Sequence, residues 1–173
     1  MGIKKSGYTL IEILVAIVVL GIVAVIGSQM FFSILKNTAK TRVLAEVKQN
    51  GNHALLVMGR MIRNAKRIQE NTDGQTCQSG MKKLKIENPN NDSTEFDLST
   101  TTRIASVSAL RTDYLMNDKV AIDTAQPFQF NCVQTGDHPP EVTISFTLIQ
   151  TTGSRIEERV QADFNTKVSL RTY

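Results

Sequence analysis

The sequence predicts an α+β fold, in which a long N-terminal α-helix packs its second half on an antiparallel β-sheet. Three observations lead to this prediction. Residues 13–35 contain no Asp, Glu, Lys or Arg. Residues 44–68 place apolar side chains at three- or four-residue steps, as an amphipathic helix does. Two segments near the end of the sequence alternate apolar with polar residues, as half-buried strands do.

The uncharged segment is long enough to cross a membrane. Its 23 residues would extend roughly 35 Å as a helix. Lys4 and Lys5 precede it, so the positive-inside rule places the N-terminus in the cytoplasm and the rest of the chain outside. A secretory signal is the competing interpretation, but its apolar region should be shorter and should end in a small-residue cleavage site. We therefore expect a single-pass membrane span.

The charge of the chain predicts no particular partner. The formal net charge of +4 falls to +4 − 2 = +2 if Lys4 and Lys5 are removed with a leader. Basic residues between 60 and 67 suggest a nucleic-acid or lipid contact, but no aromatic residues are interleaved for base stacking. A solvated helix face is favoured, and nucleic-acid binding is not expected.

The apolar run continues without a turn signal into an amphipathic segment. No proline occurs before Pro89, and the helix is expected to reach about Gln69. Its apolar stripe has one gap, which Gly51 and Ala54 bridge. The residues of the stripe are Leu44, Val47, Leu55, Met58, Ile62, Ala65 and Ile68.

Short alternating segments after residue 80 predict the strands. They lie at 83–87, 95–99, 103–110 and 128–133, with turns expected at 88–93 and 123–127. The clearest pair is 141–150 and 160–170, which 151–155 would join as a hairpin. Together they predict one antiparallel sheet whose apolar face receives the helix.

Two cysteines, Cys77 and Cys132, are the only ones in the chain. An even number in an exported domain indicates a disulfide, whereas a metal site would need more ligands at closer spacing. Such a bridge would stabilise the fold by roughly 4 kcal/mol in the chain-entropy model. We expect a Cys77–Cys132 disulfide if the domain is exported.

No motif of an enzyme, a nucleotide site or a metal site is present. His53 and His138 are the only histidines, and neither has a partner visible in the sequence. The aspartates of the second half do not have the spacing of an EF-hand. We therefore expect no catalysis, cofactor or metal; a membrane-anchored exported enzyme is the less favoured alternative.

Glu12 is the candidate functional residue, because it is the only charge between Lys5 and Lys36. A carboxylate in an apolar helix costs roughly 2.5–3.5 kcal/mol on insertion scales. Free N–H groups of the first helical turn offset part of this cost. If the chain is cut between Gly7 and Tyr8, the new amine of Tyr8 on an adjacent chain could pair with Glu12 after assembly. The alternative is a Glu12 that extends toward the lipid headgroups.

The segment KKSGYTLIE, followed by the apolar run, resembles the processing site of type IV prepilins and type II secretion pseudopilins. The resemblance implies that a prepilin peptidase cuts after Gly7 and N-methylates Tyr8. The conserved acid of the family falls on Glu12, and its Thr-Leu-Ile falls on Thr9, Leu10 and Ile11. The implied division of the chain is a leader at 1–7, a transmembrane and filament-core helix at 8–35, and an extracytoplasmic pilin-like domain at 36–173.

The resemblance also implies a structural subunit and its partners. These are other pilin or pseudopilin subunits, an inner-membrane assembly platform, and membrane lipid before assembly. Ser28 and Gln29 occupy the region where major pilins usually have a proline, and the calcium-binding loop of the major pseudopilin is not recognisable. Residues 55–68 resemble the helix of minor, J-like pseudopilins, so a minor subunit is favoured. A pilus-tip binding module for DNA uptake or adhesion is the alternative, and pilus versus pseudopilus stays open.

Overall fold

A computed structural model describes residues 7, 9–97, 102–109, 111–126, 128–136, 138–151 and 160–171. It contains one α-helix and nine β-strands in these residues. The elements are α1 (Leu10–Asn64), β1 (Arg67–Gln69), β2 (Lys83–Glu87), β3 (Ser93–Asp97), β4 (Ala105–Ser108), β5 (Thr112–Tyr114), β6 (Val120–Ile122), β7 (Gln129–Val133), β8 (Glu141–Gln150) and β9 (Gln161–Ser169). The predicted α+β class is confirmed.

The chain divides into two compact units, residues 1–41 and residues 42–173. The first unit holds the apolar part of α1, where every described residue is exposed. The second unit holds the remainder of α1, all nine strands and the whole hydrophobic core. The apolar part of α1 is therefore uncovered, whereas its amphipathic part contributes to the core.

The strands form two antiparallel sheets, whereas the sequence predicted one. The first sheet has the order β1-β2-β3-β4-β5. In the second, β8 pairs along one edge with β6 and β7 and along the other edge with β9. The sequence pattern could not separate the sheets, because alternation gives the buried face of a strand and not its neighbours.

The second half of α1 packs on the sheets through a stripe of small and apolar residues. Its buried residues are Val47, Gly51, Ala54, Met58, Gly59 and Ile62. Gly51 and Ala54, which bridge the gap in the predicted stripe, are both buried. These residues share one core with apolar side chains from both sheets, including Phe96, Phe130 and Phe164.

The helix ends at Asn64, and the predicted end near Gln69 is wrong. The Lys66 N–H donates to the Glu87 carbonyl at 2.8 Å, and Ile68 then pairs with Ile86 in the first sheet. The Arg63 carbonyl accepts a hydrogen bond from the Arg171 N–H at 3.0 Å. These distant partners satisfy the groups that a longer helix would have paired internally. Helical spacing alone cannot reveal them.

The predicted strands and turns are confirmed apart from their ends and their count. The segments at 83–87, 95–99, 103–110, 128–133, 141–150 and 160–170 correspond to β2, β3, β4, β7, β8 and β9. Residues 98–99 and 110, the end of the predicted turn at 127 and the hairpin connection at 152–155 lie outside the described residues. The sequence prediction missed β1, β5 and β6, each of three residues, because a period of two cannot be recognised over so short a segment.

Candidate functional site

The described residues of the predicted cleavage and assembly site lie where α1 begins; they are Gly7, Thr9, Leu10, Ile11 and Glu12. Thr9 caps the helix: its carbonyl accepts hydrogen bonds from the N–H groups of Glu12 and Ile13, at 3.1 and 3.3 Å. Its side-chain Oγ1 also accepts from the Glu12 N–H at 3.4 Å. Gly7 is described and exposed, whereas Tyr8 lies outside the described residues. The site is thus the start of a helix, preceded by a glycine in open surroundings.

Glu12 is the acidic residue of the first helical turn. Thr9 and Glu12 have the T-x-x-E spacing of a capping box, in which the acid would return a hydrogen bond to the backbone of the cap. The Glu12 N–H donates to the Thr9 side chain, but the reciprocal bond from the Thr9 backbone to the Glu12 carboxylate is not formed. Among the described residues, the Glu12 carboxylate has no hydrogen-bond or ion-pair partner. The capping spacing is a signal that the sequence analysis missed.

The helix surface around Glu12 is apolar and uncovered. Leu10 is 83% exposed and Ile11 is 65% exposed. All large apolar side chains from Leu10 to Leu35 are between 49% and 83% exposed. Burial of each such side chain would contribute about 1.5–3 kcal/mol, so this surface requires lipid or neighbouring helices.

Polar residues in the apolar segment do not interrupt the helix. The Ser28 hydroxyl donates to the Ala24 carbonyl at 2.8 Å, so it is satisfied without water. The hydroxyl groups of Thr38 and Thr41 likewise donate to the carbonyl group four residues earlier, in Ile34 and Asn37 respectively. Within the described part of the chain, α1 is the one helix long and apolar enough to cross a membrane, with a mean hydropathy of 3.0 in its most apolar window.

The predicted cysteine pair forms a disulfide in the structure, with the Cα atoms of Cys77 and Cys132 4.8 Å apart. Beside it, Met81 and Phe130 exchange two backbone hydrogen bonds, at 2.7 and 3.0 Å. Because Met81 precedes β2 and Phe130 belongs to β7, these contacts join the first sheet to the second.

Charged groups in the unit at 42–173 form structural contacts. Lys83 Nζ donates to Asp73 Oδ1 at 2.9 Å, and this bond, with the nearby Asp97 and Glu95 carboxylates, raises the pKa of Lys83. Glu95 is buried and accepts hydrogen bonds from the Thr72 N–H and hydroxyl, at 2.9 and 2.8 Å. These bonds attach the loop after β1 to β3. Sequence reasoning did not find this network, because its members are distant in the chain.

A second ion pair involves β1 and β2. Arg67 Nε donates to Glu87 Oε2 at 2.5 Å, and Gln69 Nε2 donates to the same oxygen at 3.0 Å. Hydrogen bonds from Arg67 and then Gln69 lower the pKa of Glu87. The pair fixes the register of the short edge strand β1.

The remaining sequence candidates do not come together. His53 and His138 are both exposed, the first on α1 and the second before β8. No group of three or more His, Cys, Asp or Glu side chains within the described ranges is arranged to hold a metal ion. The candidate site is therefore the start of α1.

Comparison with known families identifies this segment. Residues 3–28 match the family described as the prokaryotic N-terminal methylation motif. This motif is the signature of type IV prepilins and pseudopilins, a class of structural proteins. No curated protein and no solved structure significantly matches the chain. The motif and the apolar helix together fit a membrane-anchored, pilin-like protein.

Proposed function

We propose that the chain is a minor pilin-like structural subunit of a type IV pilus or a type II secretion pseudopilus. A prepilin peptidase cleaves it after Gly7 and N-methylates Tyr8, and the mature chain assembles through its N-terminal helix. One observation carries the proposal: an uncovered apolar helix surface bears a single acid, Glu12, in its first turn.

Each part of the chain has a role in this proposal. Residues 1–7 are the leader, 8–35 form the transmembrane and filament-core helix, and 36–173 form the extracytoplasmic domain. Lys4 and Lys5 hold the leader in the cytoplasm. The Cys77–Cys132 disulfide supports export, because such bonds persist in oxidising compartments.

Assembly replaces lipid with protein around the apolar helix. In the membrane, lipid covers the exposed apolar side chains of residues 10–35. In the filament, the same side chains pack against the helices of neighbouring subunits. Because lipid and apolar side chains are similarly hydrophobic, burial alone gives little preference for assembly. A specific polar contact is needed to set the register.

Glu12 supplies that contact. Its N–H is already bound by Thr9, but its carboxylate has no partner among the described residues. Cleavage after Gly7 creates an amine at Tyr8, four positions before Glu12, and the amine of a neighbouring chain can pair with the carboxylate. Both charges are costly to bury alone, so the pair fixes the stagger between neighbours.

Two features support a minor subunit. Residues 55–68 resemble the corresponding helix of J-like pseudopilins in sequence, and within this segment Met58, Gly59 and Ile62 are buried. The apolar segment has Ser28 in place of a helix-breaking proline, and the Ser28 hydroxyl bonds to the preceding turn. An unbroken helix distinguishes this chain from the usual major pilin.

Substitution of Glu12 tests assembly separately from processing. The full chain is expressed with a prepilin peptidase and an assembly system, and its amount is measured in membranes and in sheared filaments. Breaking a buried pair costs about 3–5 kcal/mol, so Glu12→Gln should reduce incorporation about 100-fold or more. Glu12→Asp should retain part of it, and Glu70→Gln, outside the helix, should have no effect. Wild-type incorporation of Glu12→Gln would reject the assembly role.

A further inference from the structure

A cavity of about 610 Å³ lies in the unit at 42–173 and is distinct from the start of α1. It is formed where several elements end. Its lining comes from residues 66–68 at the start of β1, residues 76–77, Pro89 in the turn after β2, Gln134 after β7, residues 138–140 before β8 and residues 170–171 after β9. Its volume falls within the range of about 300–1,000 Å³ typical of ligand sites.

Backbone contacts hold the walls of this cavity in place. The Leu170 N–H donates to the Pro140 carbonyl at 3.2 Å, and the Arg171 N–H donates to the Arg63 carbonyl at 3.0 Å. On the other side, Cys77 is linked covalently to Cys132 in β7. The cavity is therefore pre-formed, and a ligand would pay little of the cost of ordering it.

The cavity combines an apolar floor with a cationic rim. Its buried or half-buried apolar residues are Ile68, Pro139, Pro140 and Leu170. Its exposed basic residues are Lys66, Arg67, His138 and Arg171. The described lining residues include no Asp or Glu. Such a cavity attracts a ligand with a negative group attached to an apolar body.

The charge of Lys66 is not neutralised by an acid that lines the cavity. Its ammonium group donates to the neutral side-chain oxygen of Asn91. Arg67 is ion-paired with Glu87, which stands outside the lining. Lys66, whose charge also acts on the nearby Glu87, is a rim cation to which a bound carboxylate can make a charge-assisted hydrogen bond.

Neutral hydrogen-bonding groups complete the lining. Thr76 and Gln134 are exposed and contribute a hydroxyl and an amide, which can both donate and accept. These groups suit the alternating N–H and C=O groups of a peptide main chain. Nucleic acid is a poor fit, because the described lining has no Phe, Tyr or Trp ring on which bases could stack.

We propose that this cavity binds a short segment of a partner protein in which a carboxylate stands beside a large apolar side chain. The carboxylate contacts Lys66 at the rim, and the apolar side chain lies on Ile68 and the paired prolines. This binding does not depend on cleavage or on filament assembly, so either proposal can fail without the other.

The test uses the full chain in detergent and an unlabelled hexapeptide, Gly-Asp-Phe-Glu-Leu-Gly, with an acetylated N-terminus and an amidated C-terminus; the control peptides carry the same blocked ends, and binding is measured by isothermal titration calorimetry. Two control peptides separate the parts of the ligand: Gly-Asn-Phe-Gln-Leu-Gly lacks the charges, and Gly-Asp-Ser-Glu-Ser-Gly lacks the apolar groups. Both control peptides should bind at least about tenfold more weakly, because one loses the contact with the cationic rim and the other loses the contact with the apolar floor.

Protein variants locate the binding. Lys66→Gln should weaken it about tenfold, and Gln134→Trp, which fills the cavity from an exposed position, should abolish it. Lys48→Gln changes an exposed lysine of α1 outside the cavity and should have no effect. Equal melting temperatures of the variants verify that the fold is retained.

Two results would overturn the proposal. One is equal binding of the three peptides, or no binding at millimolar concentration. The other is that phosphatidylglycerol vesicles bind in a manner sensitive to Lys66→Gln and Gln134→Trp while no peptide binds, which would assign the cavity to anionic lipid.

Discussion

The ring of Phe164 in β9 lies directly against Gly51 of α1. A β-carbon on Gly51 would lie 2.1 Å from Cζ of that ring, so any other residue would require the ring, the helix or the strand to move. The same ring stacks on Phe146 in β8, with centroids 5.2 Å apart. Gly51 therefore permits the close approach through which the second half of α1 packs on the second sheet.

Gly51→Ala should destabilise the protein by about 1–3 kcal/mol, because the added methyl group overpacks the core. Gly59→Ala is the matched control. A β-carbon there would meet Val168 at an ordinary 3.4 Å, and alanine favours the helix by up to about 1 kcal/mol. Thermal unfolding of the full chain in detergent should give a lower Tm for Gly51→Ala only. Equal Tm values for Gly51→Ala and Gly59→Ala would show that Phe164 is not in close contact with Gly51.

This contact illustrates what the sequence pattern could and could not predict. Helical periodicity correctly identified Gly51 and Ala54 as part of the buried stripe, because burial depends on the position around the helix. It could not identify Phe164 as the partner, since residues 51 and 164 are far apart in the chain. The predicted end of α1 is wrong for the same reason: the Arg63 carbonyl and the Lys66 N–H form hydrogen bonds with distant backbone.

The candidate site was predicted in more detail than the fold. Gly7, Thr9 and Glu12 lie within six residues of one another, so the local sequence alone determines their arrangement. The capping role of Thr9 requires only the T-x-x-E spacing and could have been predicted. The pairing of Glu12 with the Tyr8 amine of another chain stays a prediction, because a single chain contains no intermolecular contact that could test it.

Removal of the Cys77–Cys132 disulfide should destabilise the domain by about 4 kcal/mol in the chain-entropy model, since the two residues are 55 positions apart. The double variant Cys77→Ser, Cys132→Ser should therefore unfold at a lower denaturant concentration than the oxidised wild type. Reduced wild type should resemble the variant. If the denaturant midpoints were unchanged, the backbone pairing of Met81 with Phe130 would be sufficient to hold the two sheets together without the disulfide.

Glu87 should make stability depend on acid pH. Its pKa is lowered from 4.5 in the folded chain, chiefly by the hydrogen bond from Arg67. Its stabilising contribution is present above pH 4.5 and is lost as the pH falls through the lower, folded-state pKa. Glu87→Gln should thus lose less stability than wild type on acidification. Because Arg67 is largely exposed, the difference should be small and should decrease with salt. Parallel acid profiles of the two proteins would contradict this assignment.

Lys83 should make the stability of the protein depend on alkaline pH. Its pKa is raised above 10.5, first by the hydrogen bond to Asp73. Its contribution is complete below pH 10.5 and is lost as the pH rises through the folded-state pKa. Lys83→Met should flatten the alkaline limb of the stability profile and leave the acid limb unchanged. The exposed Lys82→Met is the neighbouring control, and an equal effect of both variants would argue against a specific role for Lys83.

The most direct test of the central claim is the intact mass and N-terminal sequence of the membrane-extracted chain, expressed with and without a prepilin peptidase. The account predicts a mature chain that begins with N-methylated Tyr8 only when the peptidase is present. Gly7→Val should prevent cleavage without affecting the fold, because a β-carbon at Gly7 would meet no atom within 4 Å. An uncut chain beginning at Met1 in the presence of the peptidase, or cleavage after residue 20, would contradict the account.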